Sequence, residues 1–170
     1  RNGQKHVWFI DFSHTGNGLS QARTAEVERE GTLADPDRGH TLRDFCRLEA
    51  DVKFILTRLQ KEEDLRLAVA FERELLAGGM ALTRWSKHAP PVEGLQEERF
   101  QKAWMVVREI RRQAAGYLAH PDDLRPYYFG LLHATLPIVY YHPDQFEDEL
   151  CERIQKQYAL LAAGMACRQL

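Results

Sequence analysis

Residues 126–143 read Pro-Tyr-Tyr-Phe-Gly-Leu-Leu-His-Ala-Thr-Leu-Pro-Ile-Val-Tyr-Tyr-His-Pro, and this stretch decides the fold. It contains no Asp, Glu, Lys or Arg, whereas the rest of the chain is rich in charged residues. A helix that is apolar on all sides has to be buried on all sides. We therefore predict a buried central helix from Pro126 to about Leu136, where Pro137 forces a kink or a stop.

Apolar residues recur at helical spacing on both sides of this stretch. We predict five such helices, at about residues 21–30, 41–60, 64–77, 95–119 and 143–165. The apolar pattern lapses near residues 61–64, which indicates a break there, and one continuous helix is the alternative. The pair Gly78-Gly79 is typical of a left-handed helix end. Charged residues, including Lys53, Arg111 and the carboxylates, are expected on the outer faces of these helices.

These patterns together predict an all-α fold, an antiparallel bundle of five to six helices around the buried central helix. Residues 7–12, Val-Trp-Phe-Ile-Asp-Phe, add a short extended N-terminal segment, because aromatic and branched residues favour a strand. A chain of 170 residues has the size of one domain, so we predict a single helical domain at 1–170. The first residue is Arg and not Met, which fits a processed chain or one cut from a larger protein.

The composition, 44% hydrophobic and 28% charged, is that of an ordinary soluble protein. Lys and Arg number 23 against 25 acidic residues, so net charge does not indicate nucleic-acid binding. We find no apolar run long enough for a membrane span and no secretory signal. Three cysteines without a CxxC pair predict reduced thiols, with Cys46 and Cys151 in the core, and a cytoplasmic location.

The loop after the extended segment is the first candidate ligand site. A strand that enters a loop of hydroxyls and glycines before a helix directs backbone N–H groups at a phosphate. The candidate ligand-binding residues are Ser13, His14, Thr15, Gly16 and Asn17. This loop resembles the phosphate loop of flavodoxins, whose Ser/Thr-x-Thr-Gly-Asn motif holds the flavin phosphate. The resemblance covers about ten residues, and the alternating strands and helices of that family do not follow. Another anion site and a purely structural turn are the alternatives.

The second candidate site is a basic face on the helix at 95–119. The residues that could contact a phosphate backbone are Arg84, Lys102, Arg108, Arg111 and Arg112. Trp85 and Lys87 lie beside Arg84 and could extend the surface. Glu97, Glu98 and Glu109 share the same helix, however, and helices of mixed charge are common.

Neither metal binding nor catalysis leaves a clear pattern. None of the seven histidines forms a His-x-x-x-His or Glu-x-x-His pair on one helix face, and His133 is expected to be a neutral core residue. The serines lack a nucleophile-elbow sequence. We therefore predict no catalytic residue, no metal and no cofactor.

The sequence thus favours a non-catalytic binding or regulatory module that engages a protein partner, or a second copy of itself, through helix surfaces. One alternative is an enzyme that binds a phosphate or nucleotide ligand on the 13–18 loop, with His14 as acid or base. The other alternative is a nucleic-acid-binding protein that uses the basic face of the 95–119 helix.

Overall fold

The fold is given by a computed structural model, which describes residues 42–78, 94–118, 120 and 123–170. These residues form five α-helices and no strand, so the all-helical prediction is confirmed for them. The helices are α1 (Arg43–Asp51), α2 (Glu62–Ala77), α3 (Glu98–Ala114), α4 (Arg125–Thr135) and α5 (Glu149–Cys167). None of these helices combines the length and the apolar character that crossing a lipid bilayer requires. The predicted helix at 21–30 and the extended segment at 7–12 lie outside the described residues.

A five-residue π-helical segment, Val52–Leu56, continues α1 without a gap. Its last turn is closed at Thr57, whose backbone N–H and side-chain hydroxyl both donate to the Val52 carbonyl, at 3.0 and 2.7 Å. Three more short segments are 3₁₀-helical: Ala115–Tyr117, Leu136–Tyr140 and Pro143–Gln145. Because a π turn holds one more residue than an α turn, this segment changes which side chains face inward beyond α1.

The structure confirms a break between the second and third predicted helices, but the break lies at residues 57–61 rather than at the predicted 61–64, and the next helix starts at Glu62. The Asp64 carboxylate accepts hydrogen bonds from the backbone N–H groups of Gln60, at 2.7 Å, and Lys61, at 3.1 Å, which fixes the start of α2. The predicted left-handed helix end is wrong for Gly78, whose φ of -57° is right-handed. Gly79 lies outside the described residues.

The central stretch forms α4 and the 3₁₀ segment Leu136–Tyr140. The helix stops before Pro137, as predicted, because proline cannot supply the N–H that a continuing helix needs. Complete enclosure is wrong, however, since Phe129 is 51% exposed and Tyr140 is 88% exposed. His133 is also exposed, so the prediction of a core histidine is wrong as well. α4 buries one side against α1 and α5 and leaves another side open.

The core holds side chains from all five helices. Phe71 on α2 packs against Phe100 and Trp104 on α3, with ring centroids 5.6 and 6.1 Å apart. Each fully buried Leu or Phe side chain contributes roughly 1.5–3 kcal/mol to stability. The burial predicted for Cys46 and Cys151 is confirmed. At Gly130 on α4, an added Cβ would lie 2.8 Å from the Cys46 sulfur, so α1 and α4 approach closely there.

Candidate functional site

Four charged side chains and two tyrosine hydroxyls meet in the core, and we call this group the buried ion cluster. Its members are Glu49, Lys53, Glu72, Arg111, Tyr127 and Tyr158. All six side chains are buried. One member comes from the π segment and one from each of the five helices. A single polar group therefore joins every helix that the structure describes.

One half of the cluster is centred on Glu49. The Arg111 guanidinium donates two hydrogen bonds to the Glu49 carboxylate, from Nε at 2.6 Å and from Nη2 at 2.5 Å. The third guanidinium nitrogen, Nη1, donates to the Leu75 carbonyl at 3.0 Å. The Tyr127 hydroxyl donates to the same carboxylate at 2.6 Å. A paired guanidinium and carboxylate of this kind form the strongest type of protein ion pair, because charge and geometry both match.

The other half is centred on Glu72. The Lys53 ammonium lies 2.8 Å from one oxygen of the Glu72 carboxylate and 2.7 Å from the other. The Tyr158 hydroxyl donates to that carboxylate at 3.0 Å. The two halves meet where the Lys53 ammonium lies 3.7 Å from Glu49. Two carboxylates are balanced by two cations, and this balance is the condition under which buried charges are tolerated.

The environment keeps these groups in the protonation states that the hydrogen bonds need. Burial alone would raise the pKa of Glu49, but the charge and hydrogen bonds of Arg111, with help from Lys53, hold that pKa below its ordinary value. Burial raises the pKa of Tyr127 and of Tyr158 well above the ordinary value, so both hydroxyls stay protonated and donate. Burial also raises the pKa of the neighbouring Cys46, which keeps it a thiol rather than a reactive thiolate.

The cluster corrects the prediction that charged residues lie outside. Lys53 and Arg111 were expected on outer faces, and both are buried. Glu49 and Glu72 are buried as well, although charged positions are normally assigned to the solvent side of a helix. The inward face of α1 carries Cys46, Glu49, Ala50 and, in the π segment, Lys53. The apolar repeat of Phe45, Leu48 and Ile55, which predicts the buried face, is only partly buried. The one sequence feature that could have indicated the cluster is the spacing of four residues between Glu49 and Lys53, which places them on the same side of the helix as Cys46 and Ala50.

A groove opens at the surface between the π segment and α3, with a volume of about 390 Å³. Val52 and Leu56 from the π segment, with Ala103 and Val106 from α3, give the groove an apolar lining. Leu56 and Val106 are each about half exposed. The remaining lining residues are polar or charged: Thr57, Glu98, Arg99 and Lys102.

Arg99 fixes one side of the groove. Its guanidinium donates to both oxygens of the Asp64 carboxylate, at 2.7 and 2.8 Å, and also to the Arg58 carbonyl at 2.8 Å. Burial alone would raise the pKa of Asp64, but the hydrogen bonds from Arg99 and from the backbone at residues 60 and 61 lower it. The break at residues 57–61 is thereby tied to the first turn of α3. Lys102, by contrast, is largely exposed and pairs with Glu98 at 2.6 Å.

One of the described candidate residues of the basic face lies in the core rather than at the surface. Arg111 points into the core and binds Glu49, so its predicted place on the outer face is wrong. Arg112 is exposed and pairs with Glu109, and Lys102 pairs with Glu98. Arg108 also lies on α3. Arg84 and the candidate loop residues Ser13, His14, Thr15, Gly16 and Asn17 lie outside the described residues. Within the described ranges, no group of three or more potential metal ligands comes together.

Comparison with known proteins adds no family to this geometry. No protein-family model matches the sequence. No match was found among curated proteins, and none among solved structures. The functional conclusion consequently depends on the groove, the buried ion cluster and the exposed surfaces of the helices.

Proposed function

We propose that the protein is a non-catalytic binding module that holds an amphipathic helix of a partner protein in the groove between the π segment and α3. The observation that carries this proposal is the pair of half-exposed apolar side chains that line the groove, Leu56 from the π segment and Val106 from α3. Apolar side chains in a concave surface site lose contact with water when another apolar group enters, which favours binding.

A helix suits the groove better than an extended peptide does. Extended peptides usually add to an open sheet edge, whereas helices bind in grooves between helices through apolar anchors. The volume of about 390 Å³ accommodates one or two large side chains rather than a whole domain. Lys102 and its ion-pair partner Glu98 both line the groove and are largely exposed, so they supply a polar margin beside the apolar side chains.

The buried ion cluster supports the groove from inside. Lys53 faces the core and binds Glu72, while Val52 and Leu56 from the same π segment line the groove. On the opposite wall, α3 is held by the Arg111–Glu49 pair. Both walls are thus anchored to the same buried group. A groove that is already formed in the free protein lowers the free-energy cost of ordering its walls when the partner binds.

The test compares the wild type with Val106→Asp, which places a charge in the groove. The control is Leu160→Asp, a matched change at another exposed apolar position, on α5. Proteins retained by wild-type protein but not by Val106→Asp are identified from a lysate of the cells that express it. The purified candidate is then titrated against all three proteins by calorimetry.

We expect Val106→Asp to weaken binding at least tenfold, or about 1.4 kcal/mol, and Leu160→Asp to leave it unchanged. Equal binding by wild type and Val106→Asp would overturn the proposal, as would a loss that occurs only with Leu160→Asp. The proposal is also contradicted if no protein in the lysate is retained by the wild type and lost with Val106→Asp. Circular dichroism of both variants checks that the helices are intact.

A further inference from the structure

Two large apolar side chains are exposed on α4, two helical turns apart. Phe129 and Leu136 are 51% and 42% exposed, and the backbone between them is helical throughout. His133 is exposed between them, and its ring packs edge-on against the Phe129 ring, with centroids 4.6 Å apart. Residues at this spacing lie on one side of a helix, so the three side chains form one surface. We call Phe129, His133 and Leu136 the α4 stripe.

The groove has a matching length along α3. Its lining from this helix includes Arg99 and Val106, which are separated by the same number of residues as Phe129 and Leu136. This separation corresponds to about 10.5 Å along a helix. Amphipathic helices bind in grooves through apolar anchors at such spacings. Among the exposed large apolar side chains that the structure describes, Phe129 and Leu136 are the one pair with this separation.

We propose that Phe129 and Leu136 of one copy enter the groove of a second copy of this chain. This inference rests on the proposed function, because it names the helix that the groove holds. α4 cannot fill the groove of its own chain, since Tyr127 and Leu131 fix its other side in the core. The groove and the α4 stripe lie on different elements, so the contact is head-to-tail and links copies into a ring or a filament.

The charges of the two surfaces are compatible with this contact. Residues 126–143 include no Asp, Glu, Lys or Arg, so α4 brings no such charge into the groove. The charges at the groove are already paired within one copy, Lys102 with Glu98 at 2.6 Å and Arg99 with Asp64 at 2.7 Å. An uncharged helix leaves both pairs intact, whereas a charge placed over the apolar lining would be buried without a partner.

Both surfaces lose contact with water in the same event. Leu56 and Val106 of one copy and Phe129 and Leu136 of the other are each about half exposed, and docking covers all four. A contact centred on four side chains is smaller than a standard interface, which buries about 800 Å² on each partner. We therefore expect reversible association that depends on the protein concentration.

Analytical ultracentrifugation of the full chain tests the contact. The average mass of the wild type should rise with concentration. Val106→Asp in the groove and Phe129→Asp on the α4 stripe should each increase the dissociation constant for self-association at least tenfold. Leu160→Asp, at an exposed apolar position on α5, is the matched control and should associate like the wild type. Circular dichroism checks that each variant keeps its helices.

Mixing the two variants distinguishes a head-to-tail contact from a symmetric one. Val106→Asp keeps an intact α4 stripe and Phe129→Asp keeps an intact groove, so an equal mixture should form a dimer of one molecule of each and grow no further. A mixture that stays monomeric would overturn the inference, and so would self-association that survives Val106→Asp. A wild type that is monomeric at every concentration would overturn it as well. If Val106→Asp still loses a different protein from the lysate in that case, the proposed function stands and only this inference fails.

Discussion

Arg111 and Arg112 are neighbours on α3, yet one belongs to the core and the other to the surface. The Arg111 side chain is 0% exposed and pairs with Glu49 across the bundle, whereas the Arg112 side chain is 54% exposed and pairs with Glu109 within its own helix. Both pairs have short, two-point hydrogen bonds. The two ion pairs have similar geometry but different environments. Comparing them therefore separates the stability that an ion pair contributes in the core from the stability that it contributes at the surface.

The largest effect is expected from Arg111→Met. This change leaves the Glu49 charge buried without its main partner and should cost about 3–5 kcal/mol of unfolding free energy. The measurement is urea unfolding at pH 7, with Arg112→Met as the matched control. If the two variants unfold at the same urea concentration, Arg111 is not the core residue described here.

Removing the Glu49 charge as well should restore part of the lost unfolding free energy. In Glu49→Gln combined with Arg111→Met, no unpaired carboxylate remains, and Tyr127 can still donate to the amide oxygen. We expect the double variant to be about 0.5–3 kcal/mol more stable than the sum of the two single changes predicts. The measurement is a double-mutant cycle by urea unfolding. Simple additivity would mean that the pair does not act as a unit.

Asp64 supplies an intermediate case, because it is mostly buried and its partner Arg99 is partly exposed. The pKa of Asp64 is lower in the folded protein than in the unfolded chain. The ionised carboxylate therefore stabilises the fold at any pH above the unfolded-state pKa. This stabilisation is lost as the pH falls through the lower, folded-state pKa. Asp64→Asn should cost about 1.5–3 kcal/mol at pH 7. The difference from wild type should stay constant down to about pH 4 and shrink below it.

The control for Asp64 is Glu109→Gln. The hydrogen bonds of Arg112 and Gln113 lower the pKa of Glu109 to about 2, but this carboxylate is exposed. Water screens its contribution, so we expect the unfolding curves of Glu109→Gln and wild type to coincide between pH 4 and pH 7. A pH-independent difference between Asp64→Asn and wild type, continuing below pH 3, would contradict the role given to Asp64.

The smallest effect is expected from Arg112→Ala. Exposed ion pairs within one helix contribute little, because the gain in Coulomb energy is offset by screening and by lost side-chain freedom. We expect the urea midpoint of this variant to equal that of the wild type within error. A large loss of stability would mean that Arg112 has a contact beyond Glu109 that matters for the fold.

Spacing in the sequence was sufficient to predict the helices but not their orientation. Apolar repeats located four of the described helices and, to within a few residues, the break before α2, while the uncharged stretch and Pro137 located α4 and its end. They failed at α1, where burial of Glu49 and Lys53 depends on partners that lie far away in the sequence, on α2 and α3. A pattern within one helix carries no information about such partners. The antiparallel order of the bundle stays a prediction.

The groove could not be predicted from the sequence, for a related reason. It depends on the π segment, whose five residues look like a continuation of an ordinary amphipathic helix. Leu56 and Val106 are common apolar residues, and only their positions across a gap make them a candidate site. The candidate phosphate-binding loop at 13–18 is predicted from the strand–loop–helix pattern and from its resemblance to the flavodoxin loop, and it lies outside the described residues.

The buried ion cluster limits how the protein can be cut into stable fragments. Glu49, Glu72, Arg111, Tyr127 and Tyr158 each come from a different helix. A fragment that lacked any one of these helices would deprive at least one buried carboxylate or cation in the remainder of a hydrogen-bond or ion-pair partner. Limited digestion should accordingly leave no stable sub-piece between residues 42 and 170, because the five helices persist or are lost together.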